Sequence, residues 1–125
     1  MHAPHVTLLA SFATLFFAAA ACGQTQPKFP TKSVRMVVGF SPGSATDITA
    51  RNIAPKLAEL WGQSVIVDNR SGGGSTVANA VVSKAVPDGH TLLIVSSSFA
   101  ITAVLQKNLP YDALRDFRGV KRTSQ

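Results

Sequence analysis

The chain reads as an α/β protein whose elements follow the order β-α-β-α-β-α around a parallel sheet. Three observations predict this. Residues 34–40, 64–68 and 91–95 are short runs rich in apolar and β-branched residues, as expected of strands covered on both faces. Between and after them, apolar residues recur at helical spacing. Turn chemistry separates the pieces: Ser41, Pro42, Gly43 and Ser44; the run from Asn69 to Thr76 with three consecutive glycines; and Pro87, Asp88 and Gly89. With 125 residues there is room for one small domain.

Taken in order, residues 6–21 are apolar apart from Thr7, Ser11 and Thr14 and end in Ala18, Ala19, Ala20 and Ala21. Small residues closing an apolar run of this length predict a secretory signal over 1–22, although the start carries His2 and His5 rather than Lys or Arg. Cys22, the single cysteine, excludes an intrachain disulfide and is a candidate lipidation site. The alanines before it depart from the leucine that a lipoprotein signal prefers. Residues 23–33 form an extended segment broken by Pro27 and Pro30.

The first strand follows. Ser44 or Thr46 caps the next helix, and Asp47 in its first turn complements the helix dipole. Ala50, Ile53, Ala54, Leu57 and Trp61 give that helix its apolar face. Pro55 is expected to kink or divide it, and Gly62 to end it. After the second strand and the glycine loop, Ala78, Val81, Val82 and Ala85 mark the second helix. Ser96, Ser97 and Ser98 cap a short third helix carrying Ile101, Val104 and Leu105. Residues 108–116 form a loop.

The charge narrows the function classes. Twelve Lys and Arg against six Asp and Glu give a net charge of +6, all of it carried after residue 27. The basic residues are scattered, without the clustered stripe of a nucleic-acid surface, so no nucleic-acid partner is expected. No His/Cys/Asp/Glu cluster has metal-ligand spacing, and no cofactor is implied. No glycine is followed by lysine, which excludes a phosphate-binding P-loop. Gly72 and Gly74 start a dinucleotide-like pattern that fails at Val77. Gly39, Ser41 and Gly43 match the nucleophile-elbow pattern, but Pro42 has no N–H to offer an oxyanion. His90, the only histidine past residue 5, is expected on a surface turn at the other edge of the sheet. No enzyme is predicted.

A binding site is. In a parallel sheet the loops 39–47, 68–76 and 96–99 share the carboxyl edge of the strands, where open α/β sheets take their ligands. Helix N-termini there offer unpaired N–H groups and partial positive charge, and serine and threonine add hydroxyls. This describes a site for a small anion.

The run from Phe29 to Asp47 (FPTKSVRMVVGFSPGSATD), the Ala50-Arg51 pair, the segment from Val65 to Arg70, the three glycines, the segment from Pro87 to Leu93, and Leu109 to Asp112 together resemble Bug-type receptors of tripartite tricarboxylate transporters. The resemblance covers Phe29 to about Phe117. It implies a type II periplasmic binding protein fold, of which residues 34–117 form a partial first α/β domain. It also implies capture of a small carboxylate for a membrane permease, in the periplasm, with a lipid anchor at Cys22 as a variant. Carried over by position, the site residues are Ser41, Gly43, Ser44, Ala45, Thr46 and Asp47, with Ser96, Ser97 and Ser98. Ser44, Ser71, Thr76 and Ala78 depart from the family's usual glycine, proline, asparagine and glycine. Residues 118–125 form a divergent polar tail where an apolar strand is usual, which suggests a truncated or frame-shifted product. Without partner strands, marginal stability or self-association is expected. The rival reading is a non-binding remnant or a small secreted interaction module.

Overall fold

The computed structural model describes residues 28–120; the expected signal, Cys22 and the last five residues lie outside them. The elements are β1 (Val34–Val38), α1 (Ala45–Trp61), β2 (Val65–Asn69), a 3₁₀ turn (Gly73–Ser75), α2 (Thr76–Ser83), β3 (Thr91–Ile94) and α3 (Ser98–Leu105). Both strand pairings are parallel and the order is β2-β1-β3, as the alternating pattern predicts. β1 is therefore the central strand, which explains why Val34, Met36, Val37 and Val38 are all buried while β3 is only half-buried.

The chain steps from β1 to β2 on one side and then crosses back over β1 to β3. Right-handed crossovers put α1 and α2 on opposite faces of the sheet. Met36, Val38 and Ala50 form the core under α1, with Phe40, Leu57, Val65, Val67, Leu92 and Ile94 packed around them. α2 lies against β3 and β1 on the other face. There Arg35 forms an ion pair with Asp68, which also accepts from Arg70 at 3.1 Å. Burial pushes the Asp68 carboxyl up, but the two guanidinium groups outweigh it and hold it below its ordinary value.

Two local expectations need correction. Of the two outcomes expected at Pro55, division does not occur: α1 runs as one helix through it, with the ring on the exposed side and the other face anchored by Ala50 and Ala54. His90 is buried rather than on the surface. The 28–33 segment folds back over it, so that Phe29 lies 4.9 Å from its ring and 6.4 Å from Trp61, centroid to centroid. The N–H of Thr31 donates to His90 Nε2 at 3.3 Å. Nδ1 therefore carries the proton and donates to the Asp88 carbonyl at 3.0 Å. Gly62 ends α1 as expected, with φ 66° and its N–H on the Ala58 carbonyl.

Candidate functional site

Loop 39–44 joins β1 to α1 at the carboxyl edge of the sheet. Gly43 takes φ 85°, which suits glycine. Ser44, at φ −68°, needs no such freedom; it is the N-cap, and its hydroxyl accepts from the Asp47 N–H at 3.2 Å. Of the two candidate caps, Ser44 serves and Thr46 does not. The Asp47 carboxylate, 1% exposed, turns back into the loop. It accepts from Gly43 N–H at 2.8 Å, from Arg51 Nε at 3.0 Å and from Asn69 Nδ2 at 2.8 Å. Arg51 foremost, then the Gly43 amide and Asn69, hold its pKa at about 2 against the burial that opposes them.

The donors left over can be counted. Ser44 N–H bonds the Ser41 carbonyl, and the amides of Gly43 and Asp47 are engaged as above. Among the described residues nothing accepts from the N–H of Ala45 or Thr46, the first two residues of α1. Ala45 and Thr46, which carry these amides, line a shallow groove of about 190 Å³ together with Thr49, Ile94 and Val95. The groove brings the start of α1 to the end of β3, and Ser96, Ser97 and Ser98 follow directly from its Val95 rim. There Ser96 Oγ accepts from the Ser98 N–H at 3.3 Å and lies 2.7 Å from Ser98 Oγ, while exposed Ser97, at the N-cap position of α3, makes no side-chain capping bond.

The glycine loop after β2 approaches from the third side. A Cβ on Gly39 would lie 2.5 Å from the Ser75 Cβ, so glycine is required where the two loops touch. Ser75 itself takes φ 79°, a left-handed conformation that a serine adopts at a cost.

The predicted residues thus divide. Ala45 and Thr46 line the groove. Ser41, Gly43, Ser44 and Asp47 shape the loop behind it, and Ser96 and Ser98 bond one another beside it. Arg51 and Asn69 were not singled out as site residues. The spacing of Arg51 four residues after Asp47 on one helix was a usable signal. Asn69 was not recoverable, because its place depends on the register that sets it beside Val38 at the end of β1.

A partial α/β domain with a parallel 2-1-3 sheet and a half-open groove at its carboxyl edge is the class of a periplasmic binding protein lobe. The chain belongs to the tripartite tricarboxylate transporter family receptor group, whose pattern matches residues 49–125. The match begins inside α1 and continues through the polar segment 118–125. Among relatives, Protein BugT of Bordetella pertussis is 35% identical over 116 residues, covering 90% of this chain and 36% of that one. Periplasmic binding protein BugD superposes with a TM-score of 0.67 at 35% identity, over 71% of this chain and 30% of that one. MatC (Rpa3494) from Rhodopseudomonas palustris, with bound malate, gives 0.63 at 39% identity, over 71% and 31%. The chain spans about a third of the length of the curated relatives it matches.

Proposed function

We propose that this chain is part of a periplasmic receptor that captures a small carboxylate and passes it to the membrane permease of a tripartite transporter, without chemistry. The observation that carries the reading is the pair of unpartnered amides on Ala45 and Thr46, two residues that line the groove. Two adjacent N–H groups at a helix N-terminus match the two oxygens of one carboxylate in charge and spacing. The Thr46 hydroxyl and the exposed Ser41 and Ser97 supply further donors. Gly43, Ser44 and Asp47 act on the ligand indirectly, by shaping the loop, and Ser96 and Ser98 by shaping its neighbour. Malate bound to MatC supports the ligand class. In this reading residues 1–22 direct secretion, and Cys22 is the site of any lipid anchor.

The absence of chemistry rests on placement. Ser41 follows the carboxyl end of β1, whereas the His90 carbonyl accepts from Arg35 N–H near its beginning, so the one histidine among the described residues lies toward the other end of the strand. Pro42 leaves the residue after Ser41 without an oxyanion donor.

Calorimetric titration of the chain with malate, citrate, aspartate and benzoate tests the reading. The decisive variant is Ala45→Pro. Proline is well tolerated at the first helical position, and the extended backbone of Ser44 (φ −68°, ψ 159°) suits the residue before it. The variant removes one N–H and leaves the helix. A hydrogen bond to a charged group contributes about 1.5–3 kcal/mol, so affinity should fall roughly 10- to 100-fold with little change in Tm. Heat from none of the four ligands would favour the non-binding remnant instead.

A further inference from the structure

A buried carboxylate behind an anion-binding loop is an electrostatic liability. Asp47 is the third residue of α1, directly after the two free amides, and its charge alone would oppose any carboxylate placed there. The surroundings remove the problem. Arg51 reaches from the next turn and donates from Nε to Asp47 Oδ2 at 3.0 Å. Its terminal nitrogen donates to Asn69 Oδ1 at 3.0 Å. The Asn69 amide nitrogen then donates to Asp47 Oδ1 at 2.8 Å and to the Phe40 carbonyl at 3.0 Å. Three side chains from two turns of α1 and the end of β2 therefore close a ring, and the ring grips both ends of the loop, at Phe40 and at Gly43.

We propose that Arg51 and Asn69 are positioning residues of the carboxylate site: Arg51 cancels the Asp47 charge behind the Ala45 and Thr46 amides, and Asn69 fixes the loop that presents them. The proposal rests on the receptor reading above and adds residues to it. Neither residue touches the ligand. Arg51 is half-exposed on the flank of α1, and its charge is directed at Asp47 rather than at the groove. The strongly lowered Asp47 pKa, with Arg51 as its leading cause, agrees with a charge held ionised and matched.

The test separates charge cancellation from scaffolding. Malate affinity is measured by calorimetry on the full chain for Arg51→Met, Asp47→Asn and the double variant, with thermal melts alongside. Arg51→Met should bind malate about 10-fold more weakly, because the buried carboxylate is left unmatched. The double variant should recover most of that loss, since no charge remains to cancel. Arg51→Lys, which keeps the charge and loses the second bond, should stay within about threefold of the unsubstituted chain. A double variant no better than Arg51→Met, with both folded, would overturn the charge role. Where Arg51→Met does not fold, Arg51→Gln, which keeps a donor and loses the charge, decides by the same comparison. Unchanged binding in the Arg51 variants overturns this proposal alone, whereas no malate binding by the unsubstituted chain overturns the receptor reading and the proposal together.

Discussion

The two ends of the sheet are built to different standards. On the α1 side, β1 and β2 carry a helix whose apolar face is matched to the strand residues beneath it, and the loop polar groups are closed by Asp47, Arg51 and Asn69. On the α3 side, β3 is half-buried along its whole length and α3 buries none of its residues. Val104 is 83% exposed and Leu114 93%. A groove of about 550 Å³ opens between the end of α3 and the following segment, lined by residues such as Val104, Lys107, Leu109 and Leu114. What order the α3 side has comes from an aromatic cluster. Phe117 meets Phe99 and Tyr111 edge-on at 5.3 and 5.6 Å, and Tyr111 takes a hydrogen bond from Asn79 Nδ2 at 2.9 Å. The difference lies in the helices: α1 is anchored by buried Asp47, Ala50 and Ala54, whereas α3 buries no residue and is held through the aromatic cluster.

The largest expected effect tests that contrast directly. Met36→Ala removes a side chain from the closed core and should destabilise by about 2–5 kcal/mol. Val104→Ala on the open side should change stability by less than about 0.5 kcal/mol. Urea unfolding of both variants measures the gap, and comparable losses would break the contrast.

Next in size is the polar link on the open side. Asn79 is fully buried and its Oδ1 has no partner among the described residues, nor has Thr76 Oγ1. Tyr111→Phe leaves the Asn79 amide unmatched as well and should cost about 1–3 kcal/mol. The double variant Asn79→Leu, Tyr111→Phe removes both partners and should recover most of that loss. Equal destabilisation in single and double variants would mean that the hydrogen bond is not what ties the aromatic cluster to α2.

Legibility followed locality in the chain rather than the side of the sheet. Strand identity, parallel order and a cap at Ser44 or Thr46 follow from local chemistry: β-branched runs, a hydroxyl residue before a helix, glycine after one; the structure selects Ser44. The burial of His90 did not follow, because it depends on a segment about sixty residues earlier folding back over it. Asn69 was hidden for the same reason, since its role exists only once the β1–β2 register is set. The strain at Ser75 was hidden because nothing local says that a serine after three glycines must also take a left-handed conformation. Contacts distant in sequence thus decided what pattern could not.

That strain supplies a smaller prediction. Ser75→Gly suits φ 79° and gives up only a long hydroxyl contact to the Gly39 carbonyl at 3.4 Å. It should stabilise by about 0.5–1 kcal/mol in a urea melt. Its counterpart, Gly39→Ala, brings a Cβ against Ser75 and should destabilise. Because Ser75 sits where the glycine loop meets β1, the pair reports whether that junction belongs with the closed side in rigidity.

The smallest effect near neutral pH grows only in acid. Asp47 is lowered to about 2, led by Arg51, and Asp88 to about 2, led by Lys32 and the His90 N–H, both from an ordinary 3.8. A carboxyl with a folded pKa below its unfolded value stabilises fully above the unfolded value and loses that contribution as pH falls through the folded one. The melting temperature should therefore stay flat with respect to these two groups down to about pH 4, then drop as pH approaches 2. The two groups sit at opposite edges of the sheet, Asp47 behind the free amides and Asp88 beside the docked 28–33 segment. Asp47→Asn should flatten the drop at the carboxyl edge, read as slower amide exchange at Gly43 in acid than in the unsubstituted chain. It should leave the His90 amide, which donates to the Asp88 carboxylate at 2.9 Å, as acid-sensitive as before. If both amides change together in Asp47→Asn, the edges open as one unit, and the closed side is a single cooperative block rather than two separately pinned ends.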